Sequence, residues 1–167
     1  MPHIRSWYGF ALLVGSAAAC APKEATPPAP PAVDSTQVKA AVADLWQRWA
    51  TADTAGNTAA LAGMVTDSVR IDMKGAPPII GREAWKTAAE AANQQYKYTS
   101  MSIMPDVTMA ISNDLAYENG SYVQDALQGK KKTKEFGRYA GAIRKDADGQ
   151  WRVSYIMAFA DSTVAVK

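Results

Sequence analysis

Cysteine and histidine are almost absent from this sequence of 167 residues. Its one cysteine is Cys20 and its one histidine is His3, both near the start of the chain. A single cysteine excludes a disulfide within the chain. Beyond residue 20, the sequence also excludes Ser-His-Asp and Cys-His catalytic groups and every zinc site built on histidine or cysteine. Proton transfer there is left to Asp, Glu, Lys and Tyr side chains.

A strong charge of either sign is also lacking. The chain has 18 Lys and Arg against 16 Asp and Glu, a net charge of +2, which gives no general attraction to nucleic acid or to an acidic membrane. Glycine-rich phosphate loops, calcium loops and aromatic–basic RNA motifs do not occur. The basic run at residues 130–134 is interpreted as a solvated hairpin tip. We therefore expect no nucleic-acid partner, no metal and no cofactor.

The first 20 residues contain an uncharged apolar run at residues 7–19 that ends directly before Cys20. It is shorter than the roughly 20 residues of a membrane-spanning helix. Residues 1–19 resemble a bacterial lipoprotein signal peptide, with a lipobox at residues 17–20. The resemblance implies lipid attachment at Cys20 and a membrane-anchored protein of the cell envelope that faces the periplasm. Ala21 is not the aspartate that retains lipoproteins in the inner membrane, so the outer membrane is preferred.

The same residues also allow an alternative cellular location. Ala17 and Ala19 also suit ordinary signal peptidase, which would release a soluble periplasmic protein. In either case residues 20–33 form a tether, because five prolines among residues 21–33 prevent a helix or a sheet. A proline-rich chain of this kind is extended by about 3 Å per residue. One domain is then expected at residues 34–161, followed by a C-terminal tail at residues 162–167.

The remaining pattern predicts three helices followed by strands. Asp34 begins the first helix as its N-cap, with Gln37 completing a capping box, and Gly56 ends it. Two further helices are predicted at residues 58–65 and 82–95. Period-two alternation predicts strands at residues 69–73, 96–109, 115–126, 133–145 and 151–160. Successive strands joined by tight turns indicate an α+β fold, with an antiparallel sheet packed on helices.

Four segments carry a family resemblance through their order and spacing. The first comprises AGN at residues 55–57 and LAGMVTDSV at residues 61–69. The others are IGREAW at residues 80–85, LAYENGSY at residues 115–122 and IRKDADGQWRV at residues 143–153. Over residues 34–161 the chain resembles the NTF2-like superfamily, nearest its SnoaL-like and DUF4440-type members. The resemblance implies a curved antiparallel sheet wrapped around three N-terminal helices. The resulting cone has an apolar pocket, and such domains often form homodimers through the open face of the sheet.

The superfamily includes isomerases, cyclases, hydrolases and transport factors, so the function must be sought in the site. Its ketosteroid isomerases use an aspartate base with a tyrosine and a protonated aspartate as oxyanion donors. In this sequence Asp72 falls at the position of the base, Trp49 at that of the tyrosine and Gly141 at that of the second aspartate. Because Gly141 offers no donor, we do not expect steroid-type isomerisation.

Asp72 and Arg70 share one face of the first predicted strand. Asp72 could serve as a pocket base or ligand anchor, with Arg70 as its partner. The other interpretation is a solvated polar face over a buried apolar one. A pair with Arg70 would lower the pKa of Asp72 and make it a poor base.

Glu118 lies on a later strand among small and aromatic neighbours that include Tyr122, which indicates an inward face. An inward carboxylate needs a partner. It could anchor a ligand, or it could form a structural ion pair with an arginine such as Arg138 or Arg144.

Three hypotheses follow. We favour a domain that binds a small apolar molecule in its pocket, with the binding residues Trp49, Arg70, Asp72, Glu118 and Tyr122. The second is a lyase or isomerase that uses Asp72 or Glu118 as its acid or base. The third is a non-catalytic interaction domain that dimerises.

Overall fold

The computed structural model describes residues 32–166. The predicted signal peptide, Cys20 and the tether as far as residue 31 lie outside the described residues, as does Lys167. Between residues 32 and 166, no helix is long and apolar enough to cross a membrane.

Three helices precede most of the strands: α1 (Ser35–Thr54), α2 (Thr58–Gly63) and α3 (Arg82–Gln95). The Asp34 carboxylate caps α1 by accepting a hydrogen bond of 3.0 Å from the Gln37 amide, which confirms the predicted start. Gly56 follows the end of α1 with a φ of 65°. This left-handed conformation suits glycine and turns the chain out of the helix.

Six strands form one sheet. They are β1 (Val65–Met73), β2 (Ile79–Ile80), β3 (Lys97–Ala110), β4 (Leu115–Gln128), β5 (Lys131–Lys145) and β6 (Trp151–Val166). Their order is β2-β1-β6-β5-β4-β3, and the sheet is curved and unclosed. The predicted α+β fold is thereby confirmed. Register shifts place extra residues in β3 and β6 and bend these strands, as bulges do.

Two details differ from the sequence-based expectation. First, β1 and β6 pair in parallel, whereas an antiparallel sheet was predicted. No hairpin joins these two strands, because α3 and four strands lie between them, so nothing local imposes opposite directions. Second, residues 162–166 are not a tail but the end of β6. They pair with the beginning of β5, where Lys132 lies opposite Val166.

The core lies between α1 and the inner face of the sheet. Helix α1 contributes apolar side chains along one stripe: Val38, Val42, Leu45, Trp46 and Trp49, all buried. The sheet contributes mainly Val69, Ile71, Ala116, Tyr139, Ile143 and Val153. Burial of these side chains fixes α1 across the sheet and positions Trp46 and Trp49 for the site described below.

The opposite face of β3 and β4 is more open. Its exposed apolar side chains are Met104, Val107, Met109, Ile111 and Tyr117. A homodimer through this open face of the sheet stays a prediction.

The basic run at residues 130–134 lies at the hairpin between β4 and β5. Gly129 makes the turn with a φ of 59°. Lys132 and Lys134 approach Asp125 with N–O distances of 3.9 and 3.7 Å. Both lysines are about two-fifths exposed, which fits the interpretation as a solvated hairpin tip.

Candidate ligand-binding site

A cavity of about 280 Å³ lies between helices α1 and α3 and the inner face of the sheet. Its size is near the lower end of the range for small-molecule sites, roughly 300–1,000 Å³. Aliphatic lining comes from residues such as Ile71 and Met73 of β1 and Ala88 and Ala92 of α3. Aromatic lining comes from six side chains: Trp46, Trp49, Trp85, Tyr98, Tyr122 and Tyr139.

The tryptophans form a continuous aromatic wall. Trp49 and Trp85 stack with their ring centroids 5.6 Å apart and their planes 23° apart. Trp46 meets Trp49 edge-on at 5.8 Å and Tyr139 edge-on at 5.6 Å. Both geometries are favourable for aromatic pairs. Because these rings come from α1, α3 and β5, the wall connects the helices to the sheet.

Asp53 lies one helical turn after Trp49 on α1 and also lines the cavity. Gln124 donates a hydrogen bond of 3.1 Å from its Nε2 to Asp53 Oδ2. Burial raises the pKa of Asp53 from 3.8 to about 6, and the Gln124 hydrogen bond only partly opposes this effect. The sequence-based prediction missed Asp53. Its four-residue spacing from Trp49, which places both on one helix face, was the available signal.

Glu135 of β5 is a second carboxylate in the cavity. The Tyr122 hydroxyl donates a hydrogen bond of 2.9 Å to Glu135. The Tyr122 ring lies directly against Gly137, where an added Cβ would come within 2.3 Å of the ring. Glycine at this position therefore allows Tyr122 to lie flat on the sheet. Burial and the Glu135 hydrogen bond both raise the pKa of Tyr122.

Tyr98 of β3 lines the cavity together with the two carboxylates. Burial raises the pKa of Tyr98 to about 12, and the negative charges of Asp53 and Glu135 add to the effect. We call the group of Asp53, Tyr98, Tyr122, Gln124 and Glu135 the carboxylate end of the cavity.

Two buried donors of α3 lack a partner within residues 32–166. They are Nε1 of Trp85 and Nδ2 of Asn93, and both side chains line the cavity. Buried polar groups are nearly always hydrogen-bonded, since leaving one unpaired costs about 1–3 kcal/mol.

Glu118 is buried, with only 1% of its surface exposed. Its Oε1 accepts hydrogen bonds from the Trp46 indole and from the Tyr139 hydroxyl, the latter at 2.7 Å. Its Oε2 accepts one from the Thr108 hydroxyl at 2.6 Å. Glu118 does not itself line the cavity. It lies behind Trp46 and Tyr139 and fixes their orientation, so it acts on the site through them.

Both sequence-based interpretations of Glu118 therefore need correction. Neither Arg138 nor Arg144 pairs with it, and Arg138 instead forms a bidentate pair with Asp161 at 2.8 and 2.9 Å. The donors that Glu118 needs come from an indole and two hydroxyls, which the pattern of charges in the sequence did not reveal.

Asp72 and Arg70 lie outside the cavity. Ile71 and Met73 point into it, and strand alternation directs their neighbours to the opposite face. There Arg70 Nη2 and Asp72 Oδ1 are 3.0 Å apart, with a second hydrogen bond of 3.0 Å from Arg70 Nε. The Arg70 hydrogen bond lowers the pKa of Asp72. Of the predicted binding residues, only Trp49 and Tyr122 line the cavity.

Comparison with known proteins agrees with this geometry. The helices and the curved, unclosed sheet define an NTF2-like cone. A family model described as a SnoaL-like domain matches residues 34–156. The chain therefore belongs to the family of SnoaL-like domains. No curated protein sequence matches the chain significantly.

Solved structures share the fold at low sequence identity. A ketosteroid isomerase-like protein from Erwinia carotovora atroseptica is 16% identical, with a TM-score of 0.66 over 74% of this chain and 95% of that protein. A conserved protein from Planctomyces limnophilus is 19% identical, with a TM-score of 0.69 over 78% and 99% of the two chains. A hexachlorocyclohexane dehydrochlorinase from Novosphingobium barchaimii is 14% identical, with a TM-score of 0.68 over 78% and 91%.

The raised pKa of Asp53 predicts a pH-dependent effect on stability. Because the folded-state pKa of about 6 exceeds the ordinary value of 3.8, the folded state resists ionisation of this group. Its contribution to the free energy of unfolding therefore falls as pH rises from about 4 to about 6. Asp53→Asn should be more stable than wild type at pH 7.5 by about 1–3 kcal/mol and equally stable near pH 4.

Denaturant unfolding of both proteins at the two pH values measures this difference. Asp44→Asn, on the exposed face of the same helix, is the control and should change stability by less than about 0.5 kcal/mol at either pH. A difference between wild type and Asp53→Asn that does not change with pH would contradict the assignment.

Proposed function

We propose that this protein binds a small, largely apolar molecule in the cavity of its cone. The observation that carries the proposal is the cavity itself, in which six aromatic side chains surround space that no side chain fills. The expected ligand has the size of one substituted aromatic ring.

A lyase or isomerase reaction is the second candidate. Its acid–base group would be Asp53 and not Asp72 or Glu118. Asp72 is paired with Arg70 outside the cavity, and Glu118 is enclosed by three donors. Asp53 is the carboxyl group in the cavity whose pKa of about 6 suits proton transfer near neutral pH. Comparison of the stability of wild type and Asp53→Asn at the two pH values tests whether Asp53 has this raised pKa.

We place this function at the cell envelope. The proposal rests on residues 1–33, where the resemblance to a lipoprotein signal peptide is followed by a proline-rich tether. A lipid on Cys20 would hold the domain at the membrane while the tether leaves its cavity accessible from the periplasm. A soluble periplasmic protein remains the alternative.

Cell fractionation distinguishes these two locations. The wild-type protein, produced in a bacterium with an outer membrane, should be recovered with the membranes. Cys20→Ser removes the thiol that is acylated and should abolish the membrane-bound mature form. Equal distribution of wild type and Cys20→Ser between soluble and membrane fractions would favour the soluble alternative.

Filling the cavity should abolish binding. Ala92 lines the cavity from α3, whereas its neighbour Ala91 is exposed on the same helix. Ala92→Leu places three additional carbon atoms in the space for the ligand, and Ala91→Leu adds the same atoms outside it. Calorimetric titration with tert-butylbenzene should show binding to wild type and to Ala91→Leu, and at least about tenfold weaker binding to Ala92→Leu. Equal binding to both variants would refute the proposed site.

A further inference from the structure

The cavity has an unbalanced charge. Its lining includes the carboxylates of Asp53 and Glu135 but no Lys, Arg or His side chain. None of the ion pairs found within residues 32–166 involves either carboxylate. Their hydrogen bonds come instead from neutral donors, namely the Gln124 amide and the Tyr122 and Thr163 hydroxyls.

Burial makes this imbalance costly. An ionised carboxylate away from water loses hydration that neutral donors only partly replace. Asp53 shows this cost directly, because burial raises its pKa to about 6, yet at neutral pH it is still mainly ionised. Glu118, behind the wall formed by Trp46 and Tyr139, is a third carboxylate with no cationic partner within residues 32–166. The surroundings of the cavity therefore favour positive charge and disfavour negative charge.

The aromatic wall has the same preference. The faces of aromatic rings attract cations, tryptophan most strongly, and the attraction grows where water is excluded. Trp49 precedes Asp53 by one helical turn and stacks on Trp85, so a carboxylate and two indole rings border the same space. Tyr98 and Tyr122 add two more rings next to Asp53 and Glu135.

We propose that the cavity selects an apolar molecule with a positive charge, of the class of aromatic or alkylated amines and quaternary ammonium ions, over neutral and anionic molecules of the same shape. The ammonium group lies at the carboxylate end, between Asp53 and Glu135, and the apolar body lies against Trp49 and Trp85. This inference rests on the proposed binding function and adds the charge of the ligand to it.

Two probes of nearly identical shape isolate the charge. N,N,N-trimethylanilinium carries a quaternary nitrogen where tert-butylbenzene has a carbon atom. Calorimetric titration of the purified full-length protein at pH 7.5 should show the cation binding at least about tenfold more tightly than its neutral counterpart.

Matched variants locate the effect. In the double variant Asp53→Asn with Glu135→Gln, both side chains lose their charge but keep one oxygen, which can accept the hydrogen bond from Gln124 or from Tyr122. Its affinity for N,N,N-trimethylanilinium should fall about tenfold or more, while that for tert-butylbenzene stays unchanged, which also shows that the variant is folded. Asp72→Asn removes a carboxylate outside the cavity and should leave both affinities as in wild type.

The possible failures are distinguishable. Equal binding of the two probes to wild type would overturn the inference about charge and leave the proposed apolar site standing. Tight binding of the cation that the double variant retains would also overturn it, because the charge would then be recognised elsewhere. Failure of both probes to bind would overturn the proposed function together with this inference.

Discussion

The buried carboxylate of Glu118 is the constraint on which the rest of the site depends. It accepts hydrogen bonds from Trp46 of α1, Thr108 of β3 and Tyr139 of β5, so three elements that are distant in sequence meet at one side chain. A carboxylate with 1% exposure is tolerated only because these donors replace its hydration. Loss of any one of them would leave a buried carboxyl oxygen without one of its hydrogen bonds, so together they fix the relative positions of the helix and the two strands.

The cavity follows from this arrangement. Trp46 and Tyr139 are held by Glu118 on one side and line the cavity on the other. Trp49, one turn later on α1, then stacks on Trp85 of α3. Because large rigid rings pack against one another and against a curved sheet, the helices do not fill the space in front of β3, β4 and β5. A polar network in the core thus borders a largely apolar cavity.

Local signals in the sequence were sufficient for much of the fold. The cap at Asp34, the glycine at residue 56 and the apolar stripe of α1 are properties of short segments, and each predicted element is present in the structure. Local patterns did not predict the parallel pairing of β1 with β6 or the extension of β6 to Val166. Both features depend on which distant strands meet.

The site was harder to predict for the same reason. Strand alternation placed Arg70 and Asp72 on one face, but it did not show that Ile71 and Met73 were the ones facing the cavity. Asp53 lies at the mostly polar end of α1, and the sequence alone did not distinguish it from a surface residue. Its role depends on Tyr98, Gln124 and Glu135, which line the same cavity from three different strands.

The family does not assign the chemistry. SnoaL-like domains share a cone in which the side chains of each member decide what is bound, and the relatives compared above are similar in fold at identities below 20%. In this chain the lining combines indole and phenol rings with two carboxylates and lacks histidine, lysine and arginine. That combination is the basis of the proposal that the cavity recognises an apolar molecule through its shape and its charge.

Indole resonances give the most direct test that the cavity is the binding site. In a two-dimensional NMR titration of protein labelled with ¹⁵N-tryptophan, addition of tert-butylbenzene should shift the indole signals of Trp49 and Trp85. The signal of Trp151, which is buried but does not line the cavity, should stay in place as an internal reference. Signals of Trp49 and Trp85 that do not move at saturating ligand, or that move no more than that of Trp151, would contradict a binding site in the cone.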